Sequence, residues 1–163
     1  MSDLAEVIED LRRRVSQLER RQRSQLRTGV VAEVDPGQGL ARVRLLDSDP
    51  PFLTGWIPWS EPSAGANRTH NPPSVGQQVQ ITSESGDLHD AVIQGSLNSD
   101  ANARPSGAGD AHVLASIGGV TITVSGAELA ITGGQVTHNG KDIGDTHTHG
   151  GITPGPGDTN PPN

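Results

Sequence analysis

The sequence predicts a mainly β fold: an N-terminal coiled-coil helix, a small barrel of the OB type, and then a β-solenoid or β-prism shared between several chains. Three observations carry that prediction. Apolar residues recur at period 3.5 only before residue 28, and at period two afterwards. Thirteen of the 21 glycines fall after residue 98, so the second half is built differently from the first. Only 31% of the 163 residues are hydrophobic and 2% aromatic, which is lean for a chain that buries its own core. Disorder or obligate association could answer that shortage, and regular strand alternation selects association.

The first piece, residues 1–28, reads as a helix. Ser2 is a suitable cap, and Asp3, Glu6, Glu9 and Asp10 suit the positive end of the helix dipole. Leu4, Ile8, Leu11, Val15 and Leu18 follow at 4-3-4-3 spacing, an a/d seam. Gln22 and Gln25 occupy the next seam positions, so the seam fades before Thr28-Gly29. About 24 helical residues span about 36 Å. Three heptads are marginal alone, and such a coil depends on association elsewhere in the chain. The arginines at 12–14, 20, 21 and 23 read as a solvated flank.

Residues 29–97 read as the barrel. Val30–Val34 is a strand, Asp35-Pro36-Gly37 a turn, and Leu40–Leu46 the returning strand. Asp49-Pro50-Pro51 breaks the chain before the apolar run Phe52–Trp59, and a polar loop from Glu61 to Pro73 leads to a strand at Gln77–Thr82. Gly86-Asp87 then turns into a fifth strand at about Asp90–Leu97. Five short strands in about 70 residues fit a Greek-key OB barrel. Such barrels often stack bases on exposed aromatics in a basic groove. Here Phe52, Trp56 and Trp59 are confined to one segment and read as core or subunit-interface residues.

Residues 98–110 have linker composition, with Pro105, Gly107 and Gly109. In residues 111–144, Val120, Ile122 and Val124 alternate with Thr121, Thr123 and Ser125, and Leu129 and Ile131 continue the pattern. Glycines punctuate it every seven or eight residues at 118–119, 126, 133–134 and 140. So short a segment closes a solenoid only if several chains supply the faces. The last piece, residues 145–163, carries His147-Thr148-His149 and a Pro/Gly tail. In an extended strand both imidazoles leave one face, about 7 Å apart. Two imidazoles are an incomplete ligand set, short of the three of a catalytic zinc site or the six of an octahedron. A solvated pair of histidines is the other reading of the same residues.

The totals exclude several classes. With no cysteine there is neither a disulfide frame nor a thiolate metal site. No leader and no apolar run long enough to cross a bilayer is visible, so a membrane role is expected to come through force or partners. Residues 1–27 hold seven arginines against five acids, and residues 28–163 five bases against fourteen acids, +2 against −9. An acidic body repels a phosphate backbone, which argues against nucleic-acid binding. No nucleotide-binding loop is present, and no small-molecule substrate is expected. A metal-dependent hydrolase built on His147 and His149 would need further ligands and a general base, and no carboxylate or histidine cluster precedes the pair. No enzyme is expected. A trimeric fibre or adhesin shares the solenoid without needing a metal at its end.

In this order the pieces resemble the baseplate assembly protein V family, the central spikes of contractile phage tails and related injection systems. The resemblance rests on the helix, the stretch Pro73-Ser74-Val75-Gly76-Gln77-Gln78-Val79, the glycine-punctuated β-region and the end of the chain. That end reads His147-Thr148-His149-Gly150, then Pro154-Gly155-Pro156-Gly157-Asp158-Thr159 and Pro161-Pro162-Asn163. The resemblance implies a homotrimer whose chains intertwine in a β-helix, with a metal-binding tip at 145–163. It implies one iron ion (Fe2+) per trimer held by six histidines, His147 and His149 of each chain. It also implies baseplate hub and tail tube proteins as partners, and a place at the tip of the virion's tail baseplate after assembly in the host cytoplasm. The implied function is passive puncture of a host outer membrane.

Six imidazoles around a threefold axis suffice for an octahedron, and imidazole suits iron among other transition metals. Six protein ligands leave no open position, so such a site is structural. The second ring nitrogen of each ligand is expected to be held by a backbone carbonyl, with Asp145 as the carboxylate candidate. His70, His89, His112 and His138 lack a same-face histidine and read as ordinary surface or structural residues. Asp87, Asp90 and Asp110 could line a secondary cation site.

Overall fold

In a computed structural model, which describes residues 4–47, 49–145 and 147, the chain divides into two units, Met1–Arg104 and Pro105–Asn163. The first begins with helix α1, Leu4–Ser24, 21 residues long. Arg14 reaches back one turn to Asp10 at 3.1 Å, an exposed pair of small energetic consequence. No residue of α1 is buried. Leu4, Val7, Ile8, Leu11, Val15 and Leu18 are between 44% and 72% exposed, so the seam is present and unsatisfied within one chain.

The helix ends earlier than the seam suggests, and β1 (Leu26–Asp35) starts at once. The cause is the neighbouring strand. Leu26 through Val30 pair with Thr82 through Gln78 of β4 (Gln78–Thr82), and the Ser83 N–H donates to the Gln25 carbonyl at 3.0 Å. Those bonds draw residues 26–28 into the sheet. On its other side β1 pairs with β2 (Leu40–Leu45), and the Arg27 guanidinium grips the Asp47 carboxylate at 2.8 and 3.1 Å beside the end of β2. Gly29 is required where β1 meets β2, since a Cβ there would lie 2.8 Å from the Arg44 carbonyl oxygen.

The expected third strand is mostly irregular. Of the run Phe52–Trp59 only β3, Ile57–Pro58, is regular strand. Thr54 explains the loss: its N–H donates to the Val43 carbonyl at 2.9 Å, and its hydroxyl takes the Val43 N–H at 2.9 Å. A side chain thus does what a strand backbone would do, in a fully buried position. The fifth strand also starts later than expected. A short 3-10 turn, Leu88–Asp90, is capped by Asp87, which accepts the His89 N–H, and β5 runs from Val92 to Leu97.

The five strands lie in the order β3-β2-β1-β4-β5. A parallel bridge between Trp59 and Ile93, with the Ser60 N–H donating to the Ile93 carbonyl at 2.8 Å, joins the two edges. Register shifts in β1 between Val31 and Glu33, and in the β4–β5 pair, supply the bends that closure needs. Alternation then aims Val31, Ala41, Val43, Leu45, Ile57, Val79, Ile81, Ala91 and Ile93 inward, each at most 4% exposed. The curled, closed sheet is that of an OB domain. Trp59 packs against this core, whereas Phe52 and Trp56 are about half exposed.

The second unit contains β6 (Ala111–Ile117), β7 (Val120–Ser125) and β8 (Glu128–Thr132) in one antiparallel sheet. Two further short strands, β9 (Thr137–His138) and β10 (Lys141–Asp142), form a separate hairpin. β6 has no counterpart among the expected alternations, and its pairing with β7 shifts register between Val113 and Ala115. The glycines sit at the turns with positive φ: Gly118 and Gly119 between β6 and β7, and Gly126 between β7 and β8.

Candidate interfaces and metal tip

Register decides what each face of the second unit presents. Val120 lies opposite Ile117, Ile122 between Ala115 and Ile131, and Val124 between His112 and Leu129. Directly paired residues share a face, so this face is apolar. The opposite face mixes Thr121, Thr123 and Ser125 with Ser116, Val113 and Ala111 of β6 and with Thr132, Ala130 and Glu128 of β8. A soluble single-layer sheet would cover its apolar face. Here Ile117, Val120, Val124, Leu129 and Ile131 are between 36% and 76% exposed. Among the described residues, every fully buried hydrophobic side chain lies between Val31 and Ile93. Covering the half-exposed residues is worth on the order of 1 kcal/mol apiece.

The barrel has its own exposed features. Arg42 lies over the Trp56 ring, 5.9 Å from its centroid, while bonding to the Thr54 carbonyl and the Glu33 carboxylate at 3.1 Å each. Beside the last turns of α1, an open groove of about 1240 Å3 is lined by Leu18, Gln22, Phe52, Trp56 and Ile57 among others. Gly86, at φ +77°, allows the 84–89 turn to sit against the helix, as a Cβ there would lie 2.8 Å from the Arg21 carbonyl oxygen.

The loop after β3 is organised by Glu61. Its carboxylate accepts from Trp59 Nε1 at 2.7 Å, Thr69 Oγ1 at 2.7 Å, the Asn71 N–H at 2.6 Å and Asn71 Nδ2 at 3.0 Å. The Asn71 backbone bond foremost, and then the Trp59 indole, hold its pKa down at about 2. Asp90 is lowered in the same way by the Ser83 hydroxyl and the Ser85 backbone, and Asp47 by Arg27. Neither Glu61 nor Asp47 is singled out by the sequence, because only the fold brings their partners to them.

At the chain's far end, His147 lies within the described residues and His149 outside them. The His147 N–H donates to the Gly144 carbonyl at 3.3 Å, and its Nδ1 meets the same oxygen. A carbonyl oxygen only accepts, so Nδ1 is the donor in this contact. That arrangement suits a metal ligand, whose second nitrogen is typically held by such an acceptor. It is the backbone-carbonyl version of the expected contact. Among the described residues, no group of three or more His, Asp or Glu is arranged to hold a metal within one chain.

The other histidines have local settings. His70 stacks at a tilt on Trp59 with 6.3 Å between centroids, the His89 backbone serves the Asp87 cap, His112 pairs across from Val124, and His138 pairs with Lys141. Asp87 caps the 3-10 turn, and Asp90 accepts from Ser83 and Ser85. Among the described residues, no helix is long and apolar enough to cross a membrane.

Residues 27–97, the barrel just described, match the type VI secretion system/phage-baseplate injector OB domain. The chain is also 34% identical over 125 residues to the spike protein of Escherichia phage P2. By that domain and this likeness, the chain resembles the phage-baseplate spikes. The alignment with the P2 spike covers 71% of this chain and 57% of that protein, so the chain spans little more than half the length of its relative.

Proposed function

We propose that the chain is the central spike of a contractile tail baseplate, a homotrimeric needle whose metal-stapled tip is driven through a host outer membrane. The observation that carries this reading is the uncovered apolar face of β6–β8. Three copies of that face, wound about one axis as an intertwined β-helix, bury what a single copy leaves in water. The α1 seam makes the same demand at the other end. Residues 1–28 act as a coiled coil, 29–97 as the OB domain, 98–110 as a linker, 111–144 as the shaft and 145–163 as the tip.

In this reading His147 and His149 from three chains hold one iron ion, which ties three chain ends into a point. The chemistry supplied by the metal is cross-linking; it performs no reaction, and the chain is no enzyme. The helix and OB domain dock on the baseplate hub and tail tube, in a particle assembled in the host cytoplasm. Force comes from sheath contraction elsewhere. The half-exposed Trp56 beside Arg42 and the acidic body are surfaces for proteins rather than for nucleic acid.

Electron microscopy of assembled particles labelled with antibody against residues 111–144 tests this placement. Label at the distal centre of the baseplate is expected. Label on peripheral fibres would instead make the chain a trimeric fibre or adhesin.

A further inference from the structure

The turn that delivers His147 is built by short-range bonds from this chain's own residues. Asn139 and Gly140, both at positive φ, close the β9–β10 hairpin. The Ile143 N–H donates to the Val136 carbonyl at 2.8 Å, which carries the ladder past the last paired residues. The chain then bends sharply. Asp142 Oδ1 accepts the Gly144 N–H at 2.8 Å, a side-chain turn of the Asx kind. Asp142 thereby holds the N–H of Gly144, and the Gly144 carbonyl, in the next peptide group of the same turn, meets His147. Space is tight, since a Cβ at Gly144 would lie 3.2 Å from Asp142 Oδ1 and 3.7 Å from the Val136 nitrogen.

We infer that Asp142 is a positioning residue for metal capture at His147, acting through the Asp142–Gly144 turn to set the imidazole's orientation and tautomer. The inference rests on the metal-tip reading above. A neutral imidazole in water exchanges between two tautomers and rotates about two bonds. The Gly144 carbonyl selects the Nδ1–H form, and the Asp142 bond fixes the conformation of the turn that carries this carbonyl. Asp142 is half-buried at the base of the turn, so its carboxylate acts here as a brace and is not counted among the ligands.

The test uses the full chain as wild type, Asp142→Ala, Asp142→Asn and His147→Ala. Each is titrated with Fe2+ under anaerobic conditions against a competing chelator, and its association state is followed by sedimentation. Asp142→Ala is expected to lower Fe2+ affinity about 10- to 100-fold while sedimenting as wild type. Asp142→Asn, whose side-chain carbonyl can take the same N–H, is expected to restore most of the affinity. In the metal-free protein at alkaline pH, two-bond proton–nitrogen spectra assigned with His147→Ala should show His147 in the Nδ1–H form. Asp142→Ala should show a mixture of tautomers. If Asp142→Ala disturbs association, Asp142→Glu, which displaces the oxygen but keeps its charge, takes its place. Unchanged affinity and an unchanged tautomer in the substituted chain would overturn the inference. A wild type that binds no Fe2+ would sink the metal-tip reading instead, and the tautomer spectra would still decide the role of Asp142.

Discussion

Glu61 holds the loop after β3 through four hydrogen bonds from Trp59, Thr69 and Asn71, and its pKa falls from 4.5 to about 2. A carboxylate whose pKa is depressed on folding stabilises above its unfolded value and loses that contribution as pH falls through its folded value. The melting-temperature gap between wild type and Glu61→Gln should therefore be constant above about pH 5, and should narrow as pH falls towards 2. A gap that widens in acid would contradict the assignment. Glu61 was not legible in the sequence, because Thr69 and Asn71 sit in a loop whose composition announces only that it is a loop. Gly29 was equally silent as a residue type, since only the approach of Arg44 shows why a side chain is excluded. His147 was legible as a candidate from its spacing to His149. The Gly144 carbonyl beside it needed coordinates.

At the scale of elements, period carried most of the information. The strict alternation of Leu40–Leu45 and Gln78–Thr82 follows from one buried face, and both strands lie where alternation puts them. Where the period fails, the reason is a competing bond. Thr54 replaces backbone pairing in the apolar run before β3, and pairing of residues 26–28 with β4 overrides the fading helical seam. The α1 seam itself was fully legible, and its exposure within one chain makes a prediction. Leu11, 51% exposed, is central to the seam, so Leu11→Asp should weaken chain association by about 2 kcal/mol per chain while leaving the barrel's own unfolding unchanged. Sedimentation equilibrium beside thermal unfolding of the barrel checks both halves. A loss of barrel stability with association intact would mean that α1 serves its own chain.

At the scale of the molecule, the fully buried hydrophobics of the described residues belong to the OB domain, and the β6–β8 sheet presents an apolar face whose residues are largely exposed. The low hydrophobic content visible in the sequence is thus unevenly spread: enough for one small core, with the remainder on exposed surfaces. The existence of those surfaces was legible from composition and alternation. Their register was not, since the shift at Val113/Ala115 is a local backbone event with no distinctive residue. The central claim is that three copies share this shaft and close it with one metal ion. Native mass spectrometry with elemental analysis of the purified chain tests it most directly. The account predicts a mass of three chains with about one iron per trimer, and a His147→Ala/His149→Ala variant that keeps the trimer and loses the metal. A metal-free monomer from the wild-type chain would contradict it.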